Sequence, residues 1–263
     1  MPYAEINAMC VYYEEQGEGE PLLLLHGALG AVDPAVSSGW FTLLPALAAR
    51  YRAFAVETRG HGRTNNPAGK LSYKQLGEDV AAFIERLDLG PVHLAGFSDG
   101  ATFGLLLGMT RPELLRSLVA VGANYCIDDH LREGMAFFDA ESIERESPEF
   151  AAELARRHDA HHHPGYWREL LGQIRENVER EMTWTEDDLR RIPTPTLLMM
   201  GEADFVLSLG QMLEMRRSIP NSEMLILNHA GMDGLANHRV QFTRADVVGP
   251  VMLEFLGRHA GTS

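Results

Sequence analysis

One stretch of the chain decides the fold: Leu94-Ala95-Gly96-Phe97-Ser98-Asp99-Gly100-Ala101. An apolar run at 91–95 precedes it and another at 101–107 follows, which predicts a buried strand and then a buried helix. A serine between two glycines at such a junction is typical of a tight strand-to-helix turn, because a side chain at either glycine would collide with neighbouring backbone. Ser98 is therefore a candidate nucleophile, and a base, an acid and an oxyanion site are sought elsewhere in the chain.

Strands and helices alternate on both sides of this stretch. Apolar patterns predict a half-exposed strand at 6–14 and buried strands at 21–25, 52–56, 117–122, 195–201 and 222–227. Helical patterns lie at 40–51, at 72–87 with Ser72 as N-cap, at 209–219 and at 246–258. This order predicts an α/β fold, a doubly wound and mostly parallel sheet with helices on both faces.

Residues 125–192 interrupt the alternation. They contain charged helical stretches and no convincing strand, so we expect a helical insertion between two strands of one sheet. The predicted organisation is a core made of residues 1–124 and 193–263, with residues 125–192 inserted.

Composition excludes several classes of function. The 263 residues carry 23 Lys and Arg against 37 Asp and Glu, a net charge of −14, which disfavours binding to nucleic acid or to an anionic membrane surface. The N-terminus lacks the basic and apolar regions of a signal peptide, and no apolar run is long enough to span a bilayer. Two cysteines, Cys10 and Cys126, provide no disulfide framework. We therefore expect a cytoplasmic protein.

Four segments together resemble the α/β-hydrolase fold family, and the resemblance covers nearly the whole chain outside the insertion. They are Leu22-Leu23-Leu24-Leu25-His26-Gly27, Glu57-Thr58-Arg59-Gly60-His61-Gly62-Arg63-Thr64, Gly96-Phe97-Ser98-Asp99-Gly100 and Leu197-Leu198-Met199-Met200-Gly201-Glu202-Ala203-Asp204. In that family they correspond to the strand with its oxyanion loop, an Asp-x-Arg-Gly-His-Gly-x-Ser segment, the nucleophile turn and the strand that delivers the acid.

The resemblance implies a Ser-acid-His triad in that chain order. Asp204, at the end of a predicted strand, is the expected acid, with Glu202 as the alternative. A family alignment on the last strand places Met232 where the base should lie, and methionine cannot accept a proton. Reading back from the Arg-Ala-Asp start of the final helix favours His238 as the base, and His229 is the alternative.

The same resemblance implies a serine hydrolase that cleaves a carboxylic ester or a lactone through an acyl-enzyme. The backbone N–H groups of Ala28 and Asp99 are the expected oxyanion donors. Many relatives carry Met or Gln at the position of Asp99. A carboxylate near the developing oxyanion would be unfavourable, so that of Asp99 is expected to point away from the cleft, toward the cap or a helix N–H. No metal and no cofactor are expected, and the expected partner is a small molecule.

In this family the insertion would form a cap over the sheet's C-terminal edge and shape a site for a medium-sized, mostly apolar substrate. The candidate residues for the walls of this site are Met135, Phe137, Phe138, Tyr166 and Trp167. Apolar residues of helices more often pack in the core than line a pocket. A carbon–carbon bond hydrolase with the same triad and a non-catalytic ligand-binding protein remain alternatives. The sequence leaves the oligomeric state open, with a homodimer among the alternatives.

Six other histidines attract attention. We expect structural roles in their loops for His26 and His61. The cluster made of His158, His161, His162 and His163 lacks accompanying cysteines or a carboxylate pattern. It is therefore interpreted as solvated or cleft-lining rather than as a metal site.

Overall fold

The structure, a computed structural model, describes residues 3–33, 39–136 and 138–261. Its described residues form one eight-stranded sheet. The strands are β1 Tyr3–Ile6, β2 Met9–Gln16, β3 Glu20–Leu25, β4 Tyr51–Val56, β5 Val92–Phe97, β6 Leu115–Val121, β7 Thr196–Gly201 and β8 Ser222–Leu227. Strands β3 to β8 are parallel, whereas β1 and β2 form an antiparallel edge. The predicted α/β fold is confirmed.

The order of the strands across the sheet determines where a cleft forms. Across the sheet the order is β1-β2-β4-β3-β5-β6-β7-β8. The chain therefore leaves β3 toward one side for β4, and then crosses back to the other side for β5. Loops after such neighbouring strands diverge and leave a crevice at the carboxyl edge of the sheet. The loop after β3 begins at His26, and the turn after β5 contains Ser98.

Alternate residues of the central strands point to opposite faces of the sheet and bury two apolar cores. In β3, Leu23 and Leu25 belong to the core beneath one helical layer, whereas Leu22 and Leu24 belong to the core beneath the other. All four are buried, which explains why buried parallel strands read as continuous apolar runs.

The helices form both layers and an insertion. Those of the core are α1 Leu44–Ala48, α2 Tyr73–Arg86, α3 Asp99–Thr110, α9 Leu209–Ser218, α10 Gly234–His238, α11 Val240–Thr243 and α12 Ala245–Arg258. Between β6 and β7 lie α4 Asp129–Met135, α5 Ala140–Glu146, α6 Pro148–His158, α7 Tyr166–Glu181 and α8 Glu186–Leu189. An isolated antiparallel bridge between Cys126 and Thr183 joins the two ends of this insertion.

Two predicted elements differ from the structure. The strand expected at 6–14 is a hairpin, because Asn7 and Ala8 have positive φ angles and reverse the chain between β1 and β2. The helix expected at 40–51 is only α1, which is preceded by turns. In the described part of the chain, no helix combines the length and apolar character needed to cross a membrane.

Candidate active site

Ser98 lies on a strained turn between β5 and α3. Its φ of 52° and ψ of −120° are unusual for a residue with a side chain. Glycines on both sides permit the turn. A Cβ atom on Gly96 would lie 2.3 Å from the carbonyl oxygen of Gly100, and one on Gly100 would lie 2.5 Å from that of His26. Strand, turn and helix are therefore packed too closely for any other residue at these positions.

The loop after β3 lies directly against this turn. A Cβ atom on Gly27 would lie 2.9 Å from Ser98 Cβ, so the backbone of the loop passes next to the nucleophile candidate. The following residue, Ala28, lines the cavity at Ser98. Leu29 has a left-handed φ of 54°, and its side chain is buried. The backbone of residues 27–29 therefore lies next to the turn that carries Ser98.

An acid and an imidazole meet at the same edge of the sheet. His238 Nδ1 lies 2.8 Å from Asp204 Oδ2. The other carboxylate oxygen of Asp204 accepts hydrogen bonds from the N–H groups of Val206 (2.9 Å) and Leu207 (3.0 Å). A carboxylate held in this way accepts a hydrogen bond from the N–H at Nδ1, so Nε2 is left as the basic nitrogen of the ring. His238 and Ser98 line the same two cavities, although no hydrogen bond joins their side chains within the described residues.

The alternatives weighed from the sequence lie elsewhere. His229 is exposed in the turn after β8, with a left-handed φ of 56°. Glu202 is exposed. Met232 is fully exposed in the loop before α10, and Asp233 caps that helix by accepting a hydrogen bond from the N–H of Ala236. The loop between β8 and α11 therefore contains an additional short helix, which brings His238 rather than His229 to Asp204.

A family model described as "Alpha/beta hydrolase family" matches residues 22–249. The chain belongs to the alpha/beta hydrolase family. The match includes the strained serine turn, the loop after β3 and the Asp204–His238 pair.

Several proteins similar to this chain are named as hydrolases or esterases, and their names give different substrates. The chain is 26% identical over 262 residues to 2-hydroxy-6-oxo-6-(2'-aminophenyl)hexa-2,4-dienoic acid hydrolase of Metapseudomonas resinovorans, covering 94% of this chain and 88% of that protein. It is 38% identical over 123 residues to pimeloyl-[acyl-carrier protein] methyl ester esterase of Aeromonas hydrophila, covering 45% of this chain and 43% of that protein. A solved meta-cleavage product hydrolase from Pseudomonas fluorescens IP01 superposes with a TM-score of 0.80 at 20% identity, covering 96% of both chains.

Two cavities of this alpha/beta hydrolase meet at Ser98 and His238. The smaller has a volume of about 40 Å³ and reaches under the inserted helices, where Leu131, Ile174 and Met182 line it. The larger has a volume of about 920 Å³, and its lining includes Glu146 and Arg157. A substrate bound at Ser98 can therefore extend a small group one way and a large group the other.

Asp99 is among the residues that line the smaller cavity under the inserted helices, and the direction expected for its carboxylate stays a prediction. Its Oδ1 accepts a hydrogen bond of 3.0 Å from the hydroxyl of Tyr73. Burial raises the pKa of Asp99 to about 6, against the lowering effects of the Tyr73 hydroxyl and His238. Burial, together with the Asp99 charge, raises the pKa of Tyr73 well above its usual value. No sequence pattern pairs Tyr73, at the start of α2, with Asp99.

The inserted helices are attached to the loop after β3 through buried donors. His158 is fully buried, so the interpretation of its cluster as solvated or cleft-lining is wrong for this residue. The N–H of Gly62 donates to His158 Nδ1 (3.0 Å), and His158 Nε2 donates to the carbonyl oxygen of Leu29 (3.1 Å). Arg157 Nη1 donates to the same oxygen at 2.5 Å. This contact fixes the backbone next to Ala28.

The side chains of His26, His61 and His158 form a buried cluster of three imidazole rings. The N–H of Thr58 donates to His26 Nε2 (3.1 Å), and His26 Nδ1 donates to the carbonyl oxygen of Gly27 (2.8 Å). The ring centroid of His61 lies 4.9 Å from that of His26 and 5.8 Å from that of His158. Burial lowers the pKa of His26 to about 4, of His158 to about 3, and of His61 well below its usual value. All three are therefore neutral at pH 7.

The candidate walls proposed from the sequence have different positions. Met135 and Phe138 line the smaller cavity. Trp167 is buried in the core, and the Tyr166 hydroxyl donates to the carbonyl oxygen of Gly60 (3.1 Å). Phe137 lies outside the described residues.

Proposed function

We propose that this alpha/beta hydrolase cleaves a carboxylic ester or a lactone through an acyl-enzyme on Ser98. His238 is the general base and Asp204 the acid that orients it. The observation that carries the proposal is the cavity shared by Ser98, on its strained turn, and His238, whose Nδ1 is held by Asp204 at 2.8 Å. A non-catalytic binding protein would not require this combination.

The proposed chemistry follows from these positions. His238 Nε2 takes the proton of the Ser98 hydroxyl as its oxygen attacks the carbonyl carbon, and then passes this proton to the leaving group. Asp204 stabilises the imidazolium that forms in between. Backbone N–H groups of Ala28 and Asp99 stabilise the oxyanion. Water then attacks the acyl-enzyme with the same histidine as base.

We also propose that residues 125–192 form a cap on a core made of residues 1–124 and 193–263. The support is the position of the inserted helices over the smaller cavity and their hydrogen bonds to Leu29. A cytoplasmic location, which the two unpaired cysteines Cys10 and Cys126 suit, is part of the proposal. The expected partner remains a small molecule.

Hydrolysis of p-nitrophenyl butyrate tests this proposal. Activity should fall at least about 10³-fold in Ser98→Ala and in His238→Ala, since each removes a member of one catalytic unit. His229→Ala is the matched control, and its rate should remain within about twofold. Loss of activity in His229→Ala with retention in His238→Ala would overturn the assignment of the base.

Carbon–carbon bond hydrolysis is the second candidate, favoured by the 26% identity to a dienoic acid hydrolase over 94% of the chain. The same serine and histidine would serve both reactions. The two are separated by comparing kcat/KM on p-nitrophenyl butyrate and on a 2-hydroxy-6-oxo-hexa-2,4-dienoic acid. The ester should be the better substrate, and a clear preference for the dienoic acid would replace the first proposal by the second.

A further inference from the structure

The carboxyl group of Asp99 is only half satisfied by the protein. Its Oδ1 accepts from the Tyr73 hydroxyl. Within the part of the chain that the structure describes, no group donates a hydrogen bond to Oδ2, and this oxygen retains some accessible surface. Because Asp99 lines the smaller cavity next to Ser98, a ligand in this cavity is the expected partner of that oxygen.

The surroundings of this oxygen are mostly apolar. Aliphatic and thioether side chains from α4 and α7 and the chain after β7 supply much of the lining of the smaller cavity, among them Leu131, Ile174, Val178 and Val206. Two other polar side chains in it are already engaged, since Thr102 donates to the carbonyl oxygen of Asn124 and the Asn124 amide donates to that of Val206. Asp99 is thus the carboxyl group that a ligand entering this cavity meets.

We propose that the smaller cavity binds the acyl part of the substrate and that Asp99 recognises a primary ammonium group on it. The substrate class is then an ester of a short amino acid. This inference deepens the proposed serine hydrolase function and rests on it.

Three physical reasons support this assignment. A carboxylate in an apolar cavity gains most from a ligand that is both a cation and a hydrogen-bond donor, and an ammonium group is both. A cavity of about 40 Å³ holds only a few water-sized groups, so the cation must be carried on a short chain. The larger cavity of about 920 Å³ can hold a bulky alcohol, which departs first while the acyl group stays on Ser98.

Electrostatics at the nucleophile add a fourth reason. The N–H of Asp99 is a proposed oxyanion donor, so its own carboxylate lies near the negative charge that develops on the substrate. Two negative charges at close range in a medium of low dielectric constant repel each other strongly. A bound ammonium group neutralises the carboxylate and removes this penalty, whereas a neutral acyl group leaves it in place.

The preference for the cation should depend on pH. The titratable groups around Asp99 are Tyr73 of α2 and His238 of α10, with Glu181 of α7 accepting from the N–H of Tyr73 (2.7 Å). Because the pKa of Asp99 is raised to about 6, the carboxylate forms between about pH 5 and pH 7. An α-amino group, whose pKa is about 7.7, stays charged over this range. His238 acts as the base for both kinds of ester, so its contribution cancels in the ratio of their kcat/KM values.

The test compares L-alanine benzyl ester with benzyl isobutyrate, in which a methyl group replaces the ammonium group. The wild-type protein should prefer the alanine ester by about 10- to 100-fold, the range expected for hydrogen bonds to charged groups, and the ratio should rise between pH 5 and 7. Asp99→Asn keeps the size of the side chain and the acceptor for Tyr73. It should abolish the preference and its pH dependence, lowering kcat/KM for the alanine ester and raising it for isobutyrate.

Two further variants sharpen the test. Tyr73→Phe removes the donor that lowers the pKa of Asp99, so the midpoint of the ratio should move to higher pH. Glu146→Gln removes a carboxylate from the larger cavity and should leave the ratio unaltered. Inhibition measurements on the wild-type protein require no variant: isopropylammonium should inhibit isobutyrate hydrolysis competitively, whereas 2-propanol at the same concentration should not.

The outcomes separate the two proposals. Labelling of Ser98 by a fluorophosphonate, with equal ratios in wild type and Asp99→Asn, would overturn the ammonium site and leave the hydrolase function standing. Faster hydrolysis of choline isobutyrate than of the alanine ester would place the cation on the alcohol and overturn the assignment of the cavities. Failure to label Ser98 or to hydrolyse either ester would overturn the hydrolase function itself.

Discussion

At the scale of single residues, the buried carboxylate of Asp204 positions the imidazole ring of His238. Asp204 is almost completely buried, and its two oxygens accept three hydrogen bonds, from two backbone N–H groups and from His238. These bonds fix both the carboxylate and the tautomer of the imidazole. Glu202, two residues earlier, is exposed.

Asp204→Asn should therefore lower kcat by roughly 10³- to 10⁴-fold, because an amide cannot stabilise the imidazolium and favours the wrong tautomer. Glu202→Gln is the matched control and should change kcat by less than about twofold. Steady-state hydrolysis of p-nitrophenyl butyrate measures both. The reverse order of effects would show that Glu202 is the acid.

At the scale of elements, the β5–α3 turn depends on the absence of a side chain at Gly100. An alanine Cβ there would lie 2.5 Å from the carbonyl oxygen of His26 and 2.7 Å from that of Leu25, and backbone atoms cannot move aside cheaply. Gly100→Ala should lower the free energy of unfolding by about 1–3 kcal/mol and reduce activity.

The control for this substitution is Gly172→Ala, on an exposed position of α7 with nothing within 4 Å of the added Cβ. It should raise the free energy of unfolding by about 0.5–1 kcal/mol, because alanine favours helix over glycine. Urea unfolding measures both variants. Equal effects of the two substitutions would contradict the close packing at the turn.

The attachment of α6 to the loop after β3 should depend on pH. The pKa of His158 is lowered to about 3 in the folded chain, so below its unfolded pKa of about 6.5 the unfolded chain binds more protons. The contribution of His158 to the free energy of unfolding is therefore fully present above pH 6.5 and is lost as the pH falls toward 3.

His158→Gln should remove this contribution, so that its free energy of unfolding falls by about 1 kcal/mol less than that of the wild type between pH 6.5 and 5.5. Urea unfolding at both pH values provides the measurement. His163→Gln, at an exposed position, is the control and should retain the wild-type slope. Parallel slopes for all three proteins would show that His158 is not held in its neutral form.

For the whole molecule, the net charge of −14 should attract cationic substrates over long distances. Raising the ionic strength from about 0.01 M to about 0.15 M shortens the Debye length from about 30 Å to about 8 Å. The kcat/KM for L-alanine benzyl ester should therefore fall several-fold, while that for benzyl isobutyrate should stay constant. A salt response shared by both esters would assign the effect to the protein and not to attraction of the cation.

The sequence predicts the buried parallel strands well and the irregular elements poorly. Runs such as residues 22–25 are apolar on both faces and read as strands without tertiary information. The β1–β2 turn is hidden, because Asn7 and Ala8 take positive φ angles without glycine or proline. The helix expected at 40–51 is shortened to α1, since its apolar residues pack against the sheet from turns as well.

The sequence likewise predicts some features of the candidate site and misses others. Local motifs point to Ser98 and Asp204, because their geometry is encoded in a few adjacent residues. Contacts that depend on the packing of distant segments have no local signature. The Tyr73–Asp99 hydrogen bond and the burial of His158 against Leu29 belong to this second kind. The sequence predicted the wrong environment for His158 and contains no signal for the hydrogen bond between Tyr73 and Asp99.

Covalent trapping of Ser98 tests the central claim most directly. The protein is incubated with a fluorophosphonate at pH 7.5, and its mass is measured intact and after proteolysis. The proposed mechanism predicts one adduct per chain, located on Ser98, with labelling strongly slowed in His238→Ala and absent in Ser98→Ala. An unlabelled but folded protein, or an adduct on a different residue, would contradict the account.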